Sequence, residues 1–327
     1  MNKKCQIYLL LIMLLMACES VVTIDVPQEP SRLVLNSIIN EDAYIEVFLS
    51  RSKYVLSNSQ LEAVDGAEIM LEEDGQVIAR LEANRTSTLS GVYTTDYKPK
   101  AGNTYTLKAS HPDFNSVESS TTIPVVVPIH TLKYDTTVYE DSYYDYNDSL
   151  VTKRYVSLDD IWLGISDPPE EENFYEIVLY HYYQEVVEMY DEEGNYQGYD
   201  TVDYAIPVYI TSDDPVVSEN DFFEDSGYVG SSLLFSDEIF NGKTYTIHFE
   251  ESYGSVYYSN KEQENEYLLQ LRSLNKSQYQ YLRSIDLQYD TEGNPFSEPA
   301  PVYNNIEGGY GIFAGYSLDA KTISLQD

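Results

Sequence analysis

Residues 66–81, Gly-Ala-Glu-Ile-Met-Leu-Glu-Glu-Asp-Gly-Gln-Val-Ile-Ala-Arg-Leu, contain the clearest local signal for the fold. Aspartate-glycine at positions 74 and 75 separates two strand-like runs, and this dipeptide favours the tight turn of a β-hairpin. Further strand-like runs lie on both sides, at residues 32–39, 43–49, 91–93 and 102–109. Short strands separated by turns at this spacing are typical of a small β-sandwich. The sequence therefore predicts an N-terminal β-sandwich over residues 32–123.

A second β domain, residues 124–327, is predicted after an extended, proline-flanked connector at residues 124–128. Residues 174–190 alternate in polarity as a strand does, and a hairpin tip at residues 191–195 would lead into a returning strand. Residues 242–249 repeat the Gly-x-x-Tyr-Thr pattern that begins at Gly102. We interpret this half as a second sandwich.

A short helix is expected late in the chain, from Gln278 to about Tyr289, with Ser277 as its cap. The predicted fold class is mainly β: two consecutive β-sandwich domains, immunoglobulin-like or transthyretin-like, with a short C-terminal helix. The glycine and tyrosine patterns resemble such modules in exported bacterial proteins.

The start of the chain has the composition of a secretory signal. Two lysines precede an apolar run, residues 7–17, which is shorter than the roughly 20 residues that a membrane-spanning helix needs. The run ends in Leu15-Met16-Ala17-Cys18, which resembles the lipobox of bacterial lipoproteins. We therefore predict a lipoprotein signal peptide at residues 1–17, lipidation of Cys18, and a tether over residues 18–31.

Acidic residues greatly outnumber basic ones. The chain has 55 Asp and Glu against 19 Lys and Arg, a formal net charge of −36. This excess argues against nucleic-acid binding, because binding to phosphates needs a basic surface. It also argues against binding to anionic lipid through a polybasic segment. Two interpretations stay open: solubility at a crowded surface, or a basic partner or cationic ligand. Since one of the two cysteines lies in the predicted signal, no disulfide is expected in the mature chain.

No motif predicts enzyme chemistry. Ser273 and Lys276 match Ser-x-x-Lys, but the partner motifs Ser-Asp-Asn and Lys-Thr-Gly are absent. The four histidines are scattered, and none lies beside another at zinc-ligand spacing. Asp159-Asp160, Asp213-Asp214 and the loop at residues 191–195 could offer oxygen ligands to calcium or could simply be solvated. We therefore predict no catalytic residue, no cofactor and no metal site.

Tyrosine is the most unusual feature of the composition. Residues 134–260 hold 20 of the 33 tyrosines, together with 29 acidic and three basic residues. Exposed tyrosine on a sheet binds flat, weakly polar ligands such as sugars or peptides, because the ring packs and the hydroxyl hydrogen-bonds. Alternatively, tyrosine fills strand faces where its polar tip reaches water. Both interpretations stay open at this point.

A second candidate surface is the tail, residues 304–316, where four glycines lie among aromatic residues. Such glycines imply close approach of backbones or positive backbone dihedrals. Tyr310, Phe313 and Tyr316 could then be aromatic anchors for a partner or ligand. The alternative is structural: the tail closes the second sandwich, with Ile312 and Phe313 buried.

Several motifs occur in an order that resembles one known family. They are the lipobox, the tether, Ser50-Arg51-Ser52, Val64-Asp65-Gly66-Ala67, Gly91-Val92-Tyr93 and Asn305-Ile306-Glu307-Gly308-Gly309-Tyr310-Gly311-Ile312-Phe313. Over essentially the whole mature chain, the sequence resembles the Bacteroidota lipoprotein family called domain of unknown function 4249. The resemblance implies an outer-membrane lipoprotein, often encoded beside a TonB-dependent receptor, and brings no established catalytic residues.

These observations lead us to expect a binding protein without enzymatic activity. It would be an accessory component that works with a TonB-dependent receptor in nutrient uptake, anchored to the outer membrane through Cys18, with no nucleic-acid partner. The alternatives are a surface structural or adhesion protein, or a hydrolase that uses two of the many carboxylates. The sequence leaves open whether the protein faces the cell surface or the periplasm.

Overall fold

The computed structural model describes residues 29–54, 57, 60–84, 87, 89–144, 149–169, 171–191, 193–218, 228–252, 265–291 and 300–325. The predicted signal peptide, Cys18 and most of the predicted tether lie outside these residues. The predicted fold class is confirmed: the described chain is mainly β and sandwich-like, with a short helix near its C-terminal end. None of its described helices is long and apolar enough to cross a bilayer.

The strands of the N-terminal half are short. They are β1 Leu33–Ile39, β2 Glu46–Arg51, β3 Glu62–Ala63, β4 Glu68–Glu73, β5 Gln76–Ala83, β6 Val92–Thr94, β7 Thr104–His111 and β8 Phe114–Thr122. The predicted hairpin is confirmed, because β4 pairs antiparallel with β5 across the turn. Asp74 and Gly75 have φ of 49° and 81°. Positive φ at both central residues suits a two-residue hairpin turn, which explains why the aspartate-glycine signal is reliable.

The C-terminal half has longer strands and two helices. They are β9 Ile129–Tyr144, β10 Leu150–Ser166, β11 Phe174–Tyr190, β12 Tyr196–Pro207, β13 Ile210–Ser212, α1 Pro215–Ser218, β14 Tyr228–Gly230, β15 Leu233–Ser236, β16 Thr244–Glu251, β17 Asn265–Leu274, α2 Lys276–Thr291 and β18 Tyr310–Leu325. One sheet has the order β14-β13-β16-β10-β9. The other sheet contains β12, β11, β17 and β18 and continues into the N-terminal half.

Two large apolar cores result from the period-two alternation of these strands. The first core is formed by inward side chains of β1, β2, β4 and β7, such as Leu35, Leu49 and Leu107. In the second core, the two C-terminal sheets pack face to face. Ile165 and Phe249 from one sheet contact the cluster that contains Leu179 from the other. Each half therefore has its own hydrophobic core.

One strand serves both halves. The first part of β18 pairs in parallel with β1, from Val34 opposite Tyr310 to Ile39 opposite Gly315. The second part pairs antiparallel with β17, beginning with Tyr316 opposite Leu274. The predicted boundary at residue 123 stays a prediction. This pairing makes one sheet continuous between the two halves.

Glu73 fastens the end of the β4–β5 hairpin to the loop before β7. Its Oε1 accepts hydrogen bonds from Asn103 Nδ2 at 2.8 Å and from the hydroxyls of Tyr97 and Tyr105 at 2.7 Å each. These bonds, with that of Asn103 contributing most, lower the pKa of the Glu73 carboxyl, because all three donors favour the charged form. Tyr105 is fully buried, so this polar contact lies at the margin of the first core.

We expect Glu73→Gln to destabilise the protein by about 1 kcal/mol at neutral pH, allowing for solvent screening. The folded-state pKa lies below the unfolded one, so the carboxylate contributes stability above the unfolded pKa. That contribution is lost as pH falls from about 4.3, the ordinary glutamate value, through the lower folded-state pKa. The difference between wild type and variant in urea unfolding should therefore shrink over this acid range.

The matched control is Glu62→Gln, which removes an exposed carboxylate paired with Arg51. We expect it to change stability by less than about 1 kcal/mol. Identical pH profiles for wild type and Glu73→Gln would contradict the assigned role of Glu73.

Candidate functional site

The predicted tail residues fall into different environments. Tyr310 is 41% exposed, and the Arg32 guanidinium lies 5.4 Å from its ring centroid. Phe313 is fully buried in the first core, so its prediction as a surface anchor is wrong. Tyr316 is half-buried, and its hydroxyl accepts a hydrogen bond from Asn40 Nδ2 at 3.1 Å. Only Tyr310 therefore stays a candidate for contact with a partner.

The structural alternative for the tail is confirmed for Ile312 and Phe313, which are both buried. However, the tail does more than complete the second sandwich. Its glycine-rich part pairs with β1 of the N-terminal half. Asn305 holds it there: its side chain donates to Phe313 O at 2.7 Å and accepts from Phe313 N at 2.9 Å. A Cβ on Gly311 would lie 2.0 Å from the carbonyl oxygen of Leu35. The glycines are thus explained by close backbone approach.

A largely buried ion pair lies between β11 and β17. Arg272 on β17 lies directly opposite Glu176 on β11, and its Nη1 donates to Glu176 Oε2 at 3.0 Å. Its Nη2 donates to the Tyr180 hydroxyl at 2.9 Å, and its guanidinium lies 5.1 Å from the Tyr316 ring centroid. The side chains of Arg272 and Glu176 are only 17% and 8% exposed. Because every charged group here has a partner, we assign this cluster to structure.

Helix α2 begins differently from the prediction. Asn275, not Ser277, is its cap, since Asn275 Oδ1 accepts a hydrogen bond from Gln278 N at 2.9 Å. The Ser-x-x-Lys match is divided between two elements. Ser273 is buried on β17, where its hydroxyl accepts from Val127 N, whereas Lys276 pairs with Glu172 at the surface. These contacts give both residues structural roles.

A groove of about 540 Å³ runs beside α2. Its wall includes Phe174 and Tyr279, whose rings stack with centroids 4.4 Å apart. Lys276 lies over Phe174 and Arg283 over Tyr279, at 5.8 and 5.7 Å from the ring centroids. The groove thus joins aromatic faces to cations in a chain that is otherwise strongly acidic.

Two hairpin arms extend beyond the sheets. Within the described residues, β10 pairs with β16 only over residues 160–166, so residues 150–158 pair only with β9. Likewise, β11 pairs with β17 only up to Tyr182, and residues 183–190 pair only with β12. We call these two-stranded ribbons the hairpin arms. Their exposed apolar side chains include Tyr143, Tyr144, Leu150, Val186, Met189, Tyr190, Tyr196 and Tyr199.

The tyrosines of the chain differ widely in their exposure to solvent. Some tyrosines are core residues: Tyr93, Tyr105 and Tyr175 are almost fully buried. On the arms, by contrast, Tyr144 is 70% exposed and Tyr199 is 68% exposed. Tyrosine therefore occurs both in the cores and on exposed surface, and ligand binding by the exposed tyrosines stays a prediction.

Two buried carboxyls also occur, Asp167 directly after β10 and Asp237 directly after β15. Burial is the main cause that raises the pKa of Asp237, and the nearby charge of Asp167 adds to it. Asp167 accepts from the Tyr175 hydroxyl and from Gly242 N at 2.7 Å, and Asp237 accepts from Asn173 Nδ2 at 3.2 Å. These bonds hold neighbouring loops together, which gives both acids a structural role.

The outer face of β10 and β16 carries a cluster that contains a histidine. Asp160 lies opposite Glu250 and Trp162 opposite His248, so alternation places all four side chains on one face. His248 Nε2 lies 2.7 Å from Asp160 Oδ1, and its Nδ1 lies 3.7 Å from Asp213 Oδ1. The Trp162 and His248 rings stack with centroids 5.2 Å apart.

The charge state of His248 reflects these neighbours. Partial burial opposes the charged imidazolium, but the hydrogen bond to Asp160 and the surrounding carboxylates outweigh it and raise the pKa of His248 above its ordinary value. Ligand atoms of Asp160, His248 and Glu250 all lie within 4.8 Å of one another. The sequence alone does not reveal this cluster, although Asp160-x-Trp162 and His248-x-Glu250 each have the spacing that places two side chains on one face of a strand.

The described residues thus define a β-sandwich protein with two cores, a shared strand and two tyrosine-bearing arms. The chain belongs to the family described as Domain of unknown function (DUF4249), whose sequence model matches residues 19–322. The family resemblance indicated by the sequence motifs is thereby confirmed. No curated protein matches the chain.

Proposed function

We propose that this protein is an outer-membrane lipoprotein, anchored by lipid on Cys18, that acts by binding and not by catalysis. In this proposal it is an accessory of a TonB-dependent receptor in nutrient uptake. The lipobox and the signal-like start support the anchor. The receptor association is supported by membership of the family, because the family resemblance is what implied such a receptor.

The single observation that carries the contact role is the pair of hairpin arms. An isolated two-stranded ribbon is marginally stable in water, so arms of this length favour a protein that meets a partner. Their exposed tyrosines have the chemistry of interface anchors, with a large rigid ring and a hydroxyl that hydrogen-bonds.

Charge indicates what kind of surface the arms would meet. The segment that contains them, residues 134–260, has 29 acidic residues and three basic ones. Such a surface is complementary to basic loops, and complementary charge mainly accelerates association. A receptor with basic loops facing this protein therefore fits the arms, whereas nucleic acid and anionic lipid do not.

We expect a receptor-sized partner to co-purify when the tagged protein is extracted from native membranes in mild detergent. The interface should bury at least about 1,000 Å², and the association rate should fall as salt rises. The double variant Tyr144→Ala/Tyr199→Ala removes one exposed tyrosine from each arm. It should weaken the complex by on the order of 10-fold while leaving thermal unfolding unchanged.

The matched control is Tyr289→Ala, because Tyr289 is 71% exposed and belongs to α2 and not to either arm. Tyr310→Ala tests the tail in the same assay. Cys18→Ser, which removes the proposed lipid site, should abolish membrane extraction of processed protein. Recovery without a partner at both low and physiological salt would refute the receptor association, and equal loss in Tyr289→Ala would refute the role of the arms.

A further inference from the structure

The cluster around His248 has an imbalance of charge. Three carboxylates, those of Asp160, Asp213 and Glu250, surround a single imidazole. Among the side chains that the structure describes, the ion-pair partner of Asp160 and of Asp213 is His248 and not a lysine or arginine. One imidazolium offsets at most one of the three negative charges. A divalent cation would offset two and would relieve the repulsion between neighbouring carboxylates.

The ligand atoms are already gathered by the strands. The pairing of β10 with β16 places Asp160 across from Glu250, and His248 lies diagonally to Asp160 on the same face. The candidate ligand atoms of these three residues lie within 4.8 Å of one another. Because all three are on paired strands, the sheet holds their backbones in position, as a metal site requires.

The second ring nitrogen of His248 is oriented as well. Its Nδ1 lies 3.7 Å from Asp213 Oδ1 at the end of β13, and the Trp162 ring stacks against the imidazole. Metal-binding histidines commonly direct their other nitrogen towards a carboxylate, which sets the tautomer and the ring orientation. Asp213 and Trp162 therefore hold the imidazole in its orientation, with Nε2 lying 2.7 Å from Asp160 Oδ1.

We propose that Asp160, His248 and Glu250 form a binding site for one divalent transition-metal ion of the zinc type. An imidazole nitrogen with two carboxylates is a suitable set for Zn²⁺ and its first-row neighbours, whereas Ca²⁺ and Mg²⁺ prefer oxygen ligands alone. Three protein ligands leave the fourth position of a tetrahedral zinc ion open to water. This site is independent of the proposed receptor association, so either proposal can fail alone.

The test uses the full mature protein without an affinity tag, freed of metal with a chelator. Trp162 is the single tryptophan of the chain, and its ring stacks on that of His248, one of the proposed metal-binding residues. Its fluorescence emission therefore reports directly on the site. Zn²⁺ is titrated in excess Mg²⁺, which occupies carboxylate-only sites elsewhere on this acidic surface. We expect a saturable change in Trp162 emission, and equilibrium dialysis should show one Zn²⁺ bound with the same affinity.

Glu250→Gln removes an exposed ligand but leaves the stack of Trp162 on His248 in place, so emission still reports binding. We expect its Zn²⁺ affinity to fall by at least on the order of 10-fold. His248→Ala, followed by dialysis, should lose the site, and thermal unfolding checks that both variants fold. The control is His130→Ala, which removes an exposed histidine from β9 and should bind as wild type does. Absence of saturable binding in the wild type, or equal affinity in His248→Ala, would overturn the proposal.

Discussion

Gly311→Ala is expected to lower the free energy of unfolding by at least about 4 kcal/mol, which is an exceptionally large effect for a single substitution. Two causes add. Gly311 has a φ of +117°, where an L side chain is strained, and its new Cβ would lie 2.0 Å from the carbonyl oxygen of Leu35. Because that oxygen belongs to the backbone of β1, relief requires β1 and β18 to move apart. The parallel pairing that joins the two halves would then be lost, and unfolding by urea should begin at lower concentration.

Gly102→Ala separates the two causes. Gly102 also has a positive φ, +83°, but an added Cβ would meet nothing within 4 Å. We therefore expect only the cost of backbone strain, about 1–3 kcal/mol. If Gly311→Ala were no more destabilising than Gly102→Ala, the close approach of β18 to β1 would not be essential to the fold.

Arg272→Leu is expected to destabilise the protein by about 3–5 kcal/mol, because it leaves the buried Glu176 carboxylate without its charged partner. The loss includes the hydrogen bond to Tyr180 and the contact with the Tyr316 ring. The control is Lys276→Ala, which breaks a pair with Glu172 in which both side chains are about 60% exposed. Exposed pairs contribute roughly 0–1 kcal/mol, so this variant should unfold almost as wild type does.

A double-mutant cycle decides whether the charge pair or the packing matters. Glu176→Leu/Arg272→Leu removes both charges, and we expect it to be less destabilised than Arg272→Leu alone. Additive effects of the two substitutions would show that the unpaired carboxylate is not the source of the loss.

Features that depend on neighbouring residues could be predicted from the sequence. The β4–β5 hairpin follows from two residues, Asp74 and Gly75, whose positive φ a local motif can encode. The mainly β fold follows from alternation within each strand. The cap of α2 was missed by two residues because Asn275 and Ser277 are both good capping residues, and only the hydrogen bond to Gln278 N distinguishes them.

Features that depend on register could not be predicted. Asp160-x-Trp162 and His248-x-Glu250 are visible in the sequence, but nothing local says that they lie side by side. Phe313 shows the same limit, since its burial depends on β1, a strand from the opposite end of the described chain. Exposure of an aromatic residue in a glycine-rich segment is decided by such distant pairing and not by composition.

The shared strand β18 has a consequence for the order of folding. A chain is synthesised from its N-terminal end, so β1 emerges early and β18 is the last described strand to emerge. Until then, residues Val34 to Ile39 of β1 lack the strand, Tyr310 to Gly315, with which they will pair. An unpaired strand edge favours association with other chains. The N-terminal half is thus translated first but finished last, and both halves reach their final form in one late, common step.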